Sequence, residues 1–162
     1  MILGVISDTH GHTRRMLDAL RILEAFQIGA LLHCGDIGSL EMPGLLAPFP
    51  SHLVLGNVDE EQQTELENAT IAAGQTWHGL EGRLELAGRK IAFTHGHERE
   101  RLATLIASGE FDLVCYGHTH RVYQHQQGAT WVLTPGALYR ARVPSCAIVD
   151  LVTMRSEILA VG

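Results

Sequence analysis

The chain has 162 residues, 46% of them hydrophobic and 19% charged, enough to bury a full core and too apolar for a disordered polymer. Twelve Lys and Arg against 18 Asp and Glu give a formal charge of −6, the wrong sign for a protein held on long nucleic acid or acidic lipid by bulk electrostatics. No run of eighteen apolar residues occurs, so no membrane span is expected, and any phosphate chemistry needs positive charge from a source other than Lys and Arg. Ile2 to Ile6 is a short apolar run that predicts a strand covered on both faces, ending at SDTHGH. Met16, Leu20, Leu23 and Phe26 then fall on one stripe of a helix. Ala30 to His33 and Leu53 to Leu55 predict two more strands, which run into Gly35 with Asp36 and Gly56 with Asn57, and a proline-rich connection (Pro43, Pro48, Pro50) separates them.

Residues 59 to 67 carry five carboxylates and no apolar stripe, which predicts a solvated loop or frayed helix. From Gly82 the period changes to two, giving a hairpin that turns at Ala87 to Arg89 and ends in THGH. A helix over Glu98 to Ala107 follows, then a strand at Leu113 to Tyr116 that ends in GHTH. Further strands are expected at Val122 to His125, Trp131 to Thr134, Cys146 to Val152 and near Glu157 to Val161. With no internal linker, residues 1 to 162 are expected to form one α/β domain with mixed sheets and helices outside. Cys34, Cys115 and Cys146 suit neither a disulfide framework nor a four-cysteine zinc site, and the first residues lack the basic start of a secretory leader. A cytoplasmic protein with idle thiols is expected.

Ten histidines nearly equal all the Lys and Arg together, and imidazole is the commonest metal-ligand side chain. Asp8 with His10, His95 with His97, and His118 with His120 are each two apart at a strand end, where alternation aims both side chains to one side. Ligands collect at the carboxyl ends of strands in α/β sheets. Asp8, His10, Asp36, Asn57, His95, His118 and His120 make seven donors, more than a catalytic zinc site with three protein ligands takes but enough for two ions sharing a bridge. Two divalent ions ~4 Å apart repel by about 17 kcal/mol at an effective dielectric of ~20, so an anionic bridge is required, and a carboxylate has two oxygens.

The ordered strings DTH at 8 to 10, GD at 35 to 36, GNVD at 56 to 59, HGH at 95 to 97 and GHTH at 117 to 120 resemble the calcineurin-like metallophosphoesterase superfamily, above all its small single-domain bacterial and archaeal phosphodiesterases. The resemblance implies a four-layer α/β/β/α sandwich of two mixed sheets flanked by helices. It implies that Asp8, His10, Asp36 and His120 hold one metal and that Asp36, Asn57, His95 and His118 hold the other, with Asp36 as the bridge. It further implies a phosphodiesterase in which a hydroxide held between the two ions attacks phosphorus. Mixed nitrogen and oxygen donors suit Mn foremost, and also Fe, Zn, Ni and Co. The substrate expected is a small phosphate ester, Asn57 and His97 are expected to touch it, and a homo-oligomer is compatible with the family.

Two positions depart from the family pattern. Many members carry a His after the Asn of the third block, thought to help with the leaving-group proton, where this chain has Val58; Thr134 stands where relatives commonly have an Asn. His97 and His12 are then the nearest substitutes for that proton, or hydrogen-bond partners behind the ligands. His33, His52, His78 and His125 lie outside every block and are expected at the surface or in the core, as core packing is for Cys34, Trp77 and Trp131. Arg99, Arg101, Arg140 and Arg142 suit solvated faces as well as substrate contacts. The rival reading is a non-catalytic scaffold, like the retromer subunit that resembles this family.

Overall fold

In the computed structural model, which describes residues 1–162, the chain runs β1 (Ile2–Ile6), α1 (Thr13–Ala25), β2 (Ala30–His33), α2 (Met42–Leu45), β3 (Ser51–Leu53), α3 (Gln63–Ala72), β4 (Thr76–Trp77), β5 (Glu81–Leu86) and β6 (Arg89–Thr94). It continues through α4 (Arg99–Ala107), β7 (Leu113–Tyr116), β8 (Val122–Gln127), β9 (Thr130–Pro135), β10 (Ser145–Asp150) and β11 (Arg155–Ala160). A 3-10 turn over Asn57–Gln62 leads into α3. Six strands form one sheet in the order β11-β10-β1-β2-β3-β4, and five form a second in the order β5-β6-β7-β9-β8. Both are mixed: β1 pairs in parallel with β2 and antiparallel with β10, while β6 pairs in parallel with β7 and antiparallel with β5.

The period of two along each strand sorts side chains into layers. Leu3, Val5, Leu32, Ala147 and Val149 from the first sheet meet Ile91, Phe93, Leu113, Cys115 and Leu133 from the second in one buried cluster. Their alternating neighbours face outward. Ile6, Leu31, Cys146 and Ile148 pack under the Met16, Ala19, Leu20 and Leu23 face of α1, whereas Ala92 and Val114 pack under Leu105 of α4. The result is the four-layer sandwich with helices on both outer faces.

The structure corrects several details of the sequence reading. The third strand spans 51–53 rather than 53–55, because Val54 and Leu55 are buried in the turn that leads to Gly56. The proline-rich connection holds the short α2; the acidic stretch takes the helical one of its two expected forms, but Asp59 is not solvated, at 1% exposed. Phe26, at the end of α1, is exposed. As expected, Cys34 lies wholly in the core, and His33 takes the interior one of its two expected places; Trp131 donates its indole N–H to Ser156 Oγ at 2.9 Å.

Candidate metal centre

Five loops leaving strand ends converge where the two sheets meet. Asp8 N–H bonds the Gly35 carbonyl, His10 N–H bonds the Asp36 carbonyl, and Gly117 N–H bonds the His95 carbonyl, each within 3.0 Å, so the blocks are stitched to one another by backbone. Of nine non-glycine residues with positive φ, five are Asp8, His10, Asp36, His118 and His120. Such conformations cost energy and persist where the surroundings impose them, and their concentration at candidate ligands marks a site. Close approach adds to the constraint. A Cβ on Gly56 would lie 2.1 Å from Asp36 Oδ1, and one on Gly117 would lie 1.8 Å from Ser7 Oγ.

Asp8, His10, Asp36 and His120 form one compact set, and His95, Asn57 and His118 lie together in a second, looser set beside Asp36. Ligand atoms of Asp8, His10, Asp36 and His120 all lie within 4.8 Å of one another, a grouping able to hold one cation. His10 Nε2 is 3.6 Å from Asp36 Oδ2 and 3.5 Å from His120 Nε2. The other carboxylate oxygen, Oδ1, is 3.3 Å from His95 Nε2, which in turn is 3.1 Å from Asn57 Oδ1. His118 packs its ring edge-on to His95, with centroids 5.1 Å apart. Asp36 thus directs Oδ2 toward His10 and Oδ1 toward His95.

Hydrogen bonds behind these atoms fix which nitrogen faces the crevice. His95 Nδ1 donates to the Cys34 carbonyl at 2.7 Å, and His120 Nδ1 donates to the Arg140 carbonyl at 3.3 Å. In the neutral rings both Nε2 atoms therefore present lone pairs inward. His120 Nε2 sits 3.1 Å from Asp8 Oδ1, and that buried oxygen has no hydrogen-bond partner, while Oδ2 accepts from His118 N at 3.1 Å. Lone pairs facing lone pairs are repulsive unless a proton or a cation lies between them. The donor set therefore fits divalent metal.

Proton affinities respond to the same crowding. Burial pushes the Asp8 carboxyl up. Burial acts in the same direction on Asp36, but the hydrogen bond and charge of His95 outweigh it and hold Asp36 below the usual carboxylate range. Burial also disfavours charged His95, yet Asp36 outweighs it in turn and holds the imidazole above its usual value. Burial lowers His10 and His118.

The remaining candidates separate by position. His97 stands beside the second set, its ring 6.2 Å from that of His118 and its Nε2 3.6 Å from Glu60 Oε1. His12 is committed elsewhere: its Nδ1 accepts the Arg15 N–H as the cap of α1, and its ring stacks on Tyr139. Val58 contributes its backbone N–H to Asp36 Oδ1 at 3.1 Å, and its side chain is 45% exposed. Thr134 is buried, and its hydroxyl donates to the Arg121 carbonyl just past the GHTH block.

Asp59 is the residue beside the candidate ligands whose part the sequence reading missed. Its carboxylate accepts from Ile37 N at 3.0 Å, Gly38 N at 2.9 Å and Gly56 N at 3.0 Å, tying the loop of Asp36 to the loop of Asn57. The signal was its place in GNVD, masked by the acidic run that follows.

Comparison with known proteins bears on the family and the fold. The family model for the calcineurin-like phosphoesterase superfamily domain matches residues 1–154. Phosphodiesterase MJ0936 of Methanocaldococcus jannaschii is 29% identical over 154 residues, covering 93% of each chain. The solved structure of an archaeal phosphodiesterase superposes with a TM-score of 0.90 at 27% identity, covering 99% of both chains. Vps29 of Entamoeba histolytica, solved with Zn²⁺, shares the fold with a TM-score of 0.68 at 19% identity over 100% of both chains.

Proposed function

The chain belongs to the calcineurin-like phosphoesterase superfamily, and from that premise we propose that it is a metal-dependent phosphodiesterase with a binuclear centre. The observation that supports this most is the position of Asp36, whose two oxygens face two separate donor sets. Asp8, His10, Asp36 and His120 would hold one divalent ion, and Asp36, Asn57, His95 and His118 the other. Manganese is the ion we favour, with Fe, Zn, Ni and Co compatible with the same donors. When bound, the pair supplies positive charge for phosphate oxygens and makes hydroxide available at neutral pH, since a metal can lower the pKa of water from 15.7 to about 7.

The protein's own groups do the positioning. The Cys34 and Arg140 carbonyls hold His95 and His120 with Nε2 inward, and Val58 N–H orients the Asp36 carboxylate. Of the two candidates for the leaving-group proton, His97 is the one beside the second set, its Nε2 3.6 Å from Glu60 Oε1, whereas His12 is occupied as a helix cap. No protein nucleophile is required. The substrate is then a small phosphate diester rather than a long polymer, given the charge of −6.

The test is hydrolysis of a chromogenic bis-aryl phosphate by wild type and Asp36→Asn, after chelation and after Mn²⁺ is restored. Turnover lost on chelation, recovered with Mn²⁺ and reduced by about hundredfold or more in Asp36→Asn is expected. Metal-independent turnover, or full activity in the variant, would contradict the proposal. A folded protein that cleaves no diester would favour the scaffold reading, which rests on likeness of fold to Vps29.

A further inference from the structure

Beside the metal centre lies a groove of about 480 Å³ lined by His12, Arg14, Arg15, Tyr139, Arg140 and Pro144 among others. Three arginines out of the chain's 12 basic residues gather there, in a protein whose formal charge is −6. Acidic side chains do little to neutralise them, although Gly162, the last residue of the sequence, lines the same groove. Arg14 reaches Asp18 at 4.0 Å, a carboxylate that Arg21 engages more closely at 3.2 Å. Neither Arg15 nor Arg140 has a carboxylate within 4.0 Å; instead Arg15 Nη1 donates to the Val161 carbonyl at 3.3 Å, which fixes its guanidinium in the wall.

The groove and the centre share a border. Tyr139 stacks on His12 with ring centroids 4.7 Å apart and lies 6.3 Å from the ring of His10. Arg140 holds His120 through its carbonyl, and its guanidinium carbon sits 5.8 Å from the centre of the Tyr139 ring. The backbone of Arg140 adopts φ 58, a conformation uncommon for a non-glycine residue. A guanidinium fork free of carboxylate partners suits a phosphate.

We infer that this groove binds a second phosphate of the substrate, so that the favoured substrate class is a phosphodiester carrying another phosphoryl group, such as a 5′-phosphorylated dinucleotide. The inference rests on the phosphodiesterase reading above. A phosphate in the groove leaves the scissile diester against the His10 and His120 side of the centre, because Tyr139 and Arg140 touch both regions. Orientation by a group remote from the reacting bond adds to kcat/KM.

The test compares 5′-phosphorylated and unphosphorylated dinucleotides as substrates of the Mn²⁺-loaded protein, with bis-aryl phosphate as the reference. Wild type is expected to favour the phosphorylated dinucleotide by about tenfold or more in kcat/KM, the size of one charged hydrogen-bonded contact. Arg15→Ala should reduce that ratio by about tenfold, and so should Arg140→Asn, chosen because asparagine tolerates the positive φ. Bis-aryl phosphate turnover with no preference between the dinucleotides, or a preference untouched by either variant, overturns the groove assignment alone. Absence of turnover on all three substrates overturns the phosphodiesterase reading and the groove with it.

Discussion

At position 58 the backbone serves Asp36 while the isopropyl group stands exposed, so a side chain can be exchanged there without disturbing the core. Val58→His should place an imidazole near the leaving oxygen, and general-acid help of this kind is worth on the order of 10²-fold or more. The expected result is faster hydrolysis of diesters with alkyl leaving groups and little change for nitrophenyl esters, read as a flatter dependence of rate on leaving-group pKa. An unchanged dependence would show that no proton transfer is missing. Asp59 is the opposite case, a carboxylate whose worth lies in three backbone N–H groups, two of them buried, those of Ile37 and Gly56, and the third, that of Gly38, nearer solvent. Asp59→Ala strands the two buried groups, and a loss of about 2 kcal/mol or more in urea denaturation is expected at about 1–3 kcal/mol per unmet buried group. Asp59→Asn keeps the volume but offers one accepting oxygen, so metal affinity should fall by about 10–100-fold in a calorimetric titration. Wild-type affinity in that variant would place Asp59 outside the support of the centre.

Among the elements, β2 ends in a residue whose protonation bears on stability. His33 is fully buried, its Nε2 2.9 Å from Thr9 Oγ1, and burial pushes its pKa down to about 3 from 6.5. The folded chain therefore keeps His33 neutral while the unfolded chain takes up a proton below about pH 6.5. Stability from this group is complete above that pH and is lost as pH falls, at up to about 1.4 kcal/mol per unit. Burial lowers His52 and His78 as well, with the same sign. Urea midpoints of chelated protein should decline from pH 6.5 to 5.5, and His33→Gln should flatten the decline; equal slopes would contradict this. The strands themselves were legible because Ile2 to Ile6 and Leu113 to Tyr116 are apolar runs ending at glycine or polar blocks. Short elements were not. Four residues of α2 and two of β4 are too few for a period to register, and α3 buries only Leu66 and Thr70, so its helix is set by the surroundings rather than by a stripe.

For the whole molecule, two sheets packed face to face bring five loops to one place, which no local stretch of sequence reports. The seven candidate donors were legible as ordered strings, and the four-layer arrangement was legible as what the resemblance implies, in keeping with the succession of strands and helices along the chain. What the strings could not carry were contacts made across the fold: Asp59 to the loop of Asp36, and the Cys34 and Arg140 carbonyls to His95 and His120. These set the tautomers and hence the lone pairs that face the crevice. The central claim is that one carboxylate joins two cation sites. Anomalous scattering from crystals soaked in Mn²⁺ measures it most directly. Two peaks roughly 3.5–4 Å apart with Asp36 between them are expected; a single peak, or two on separate surfaces, would contradict the account.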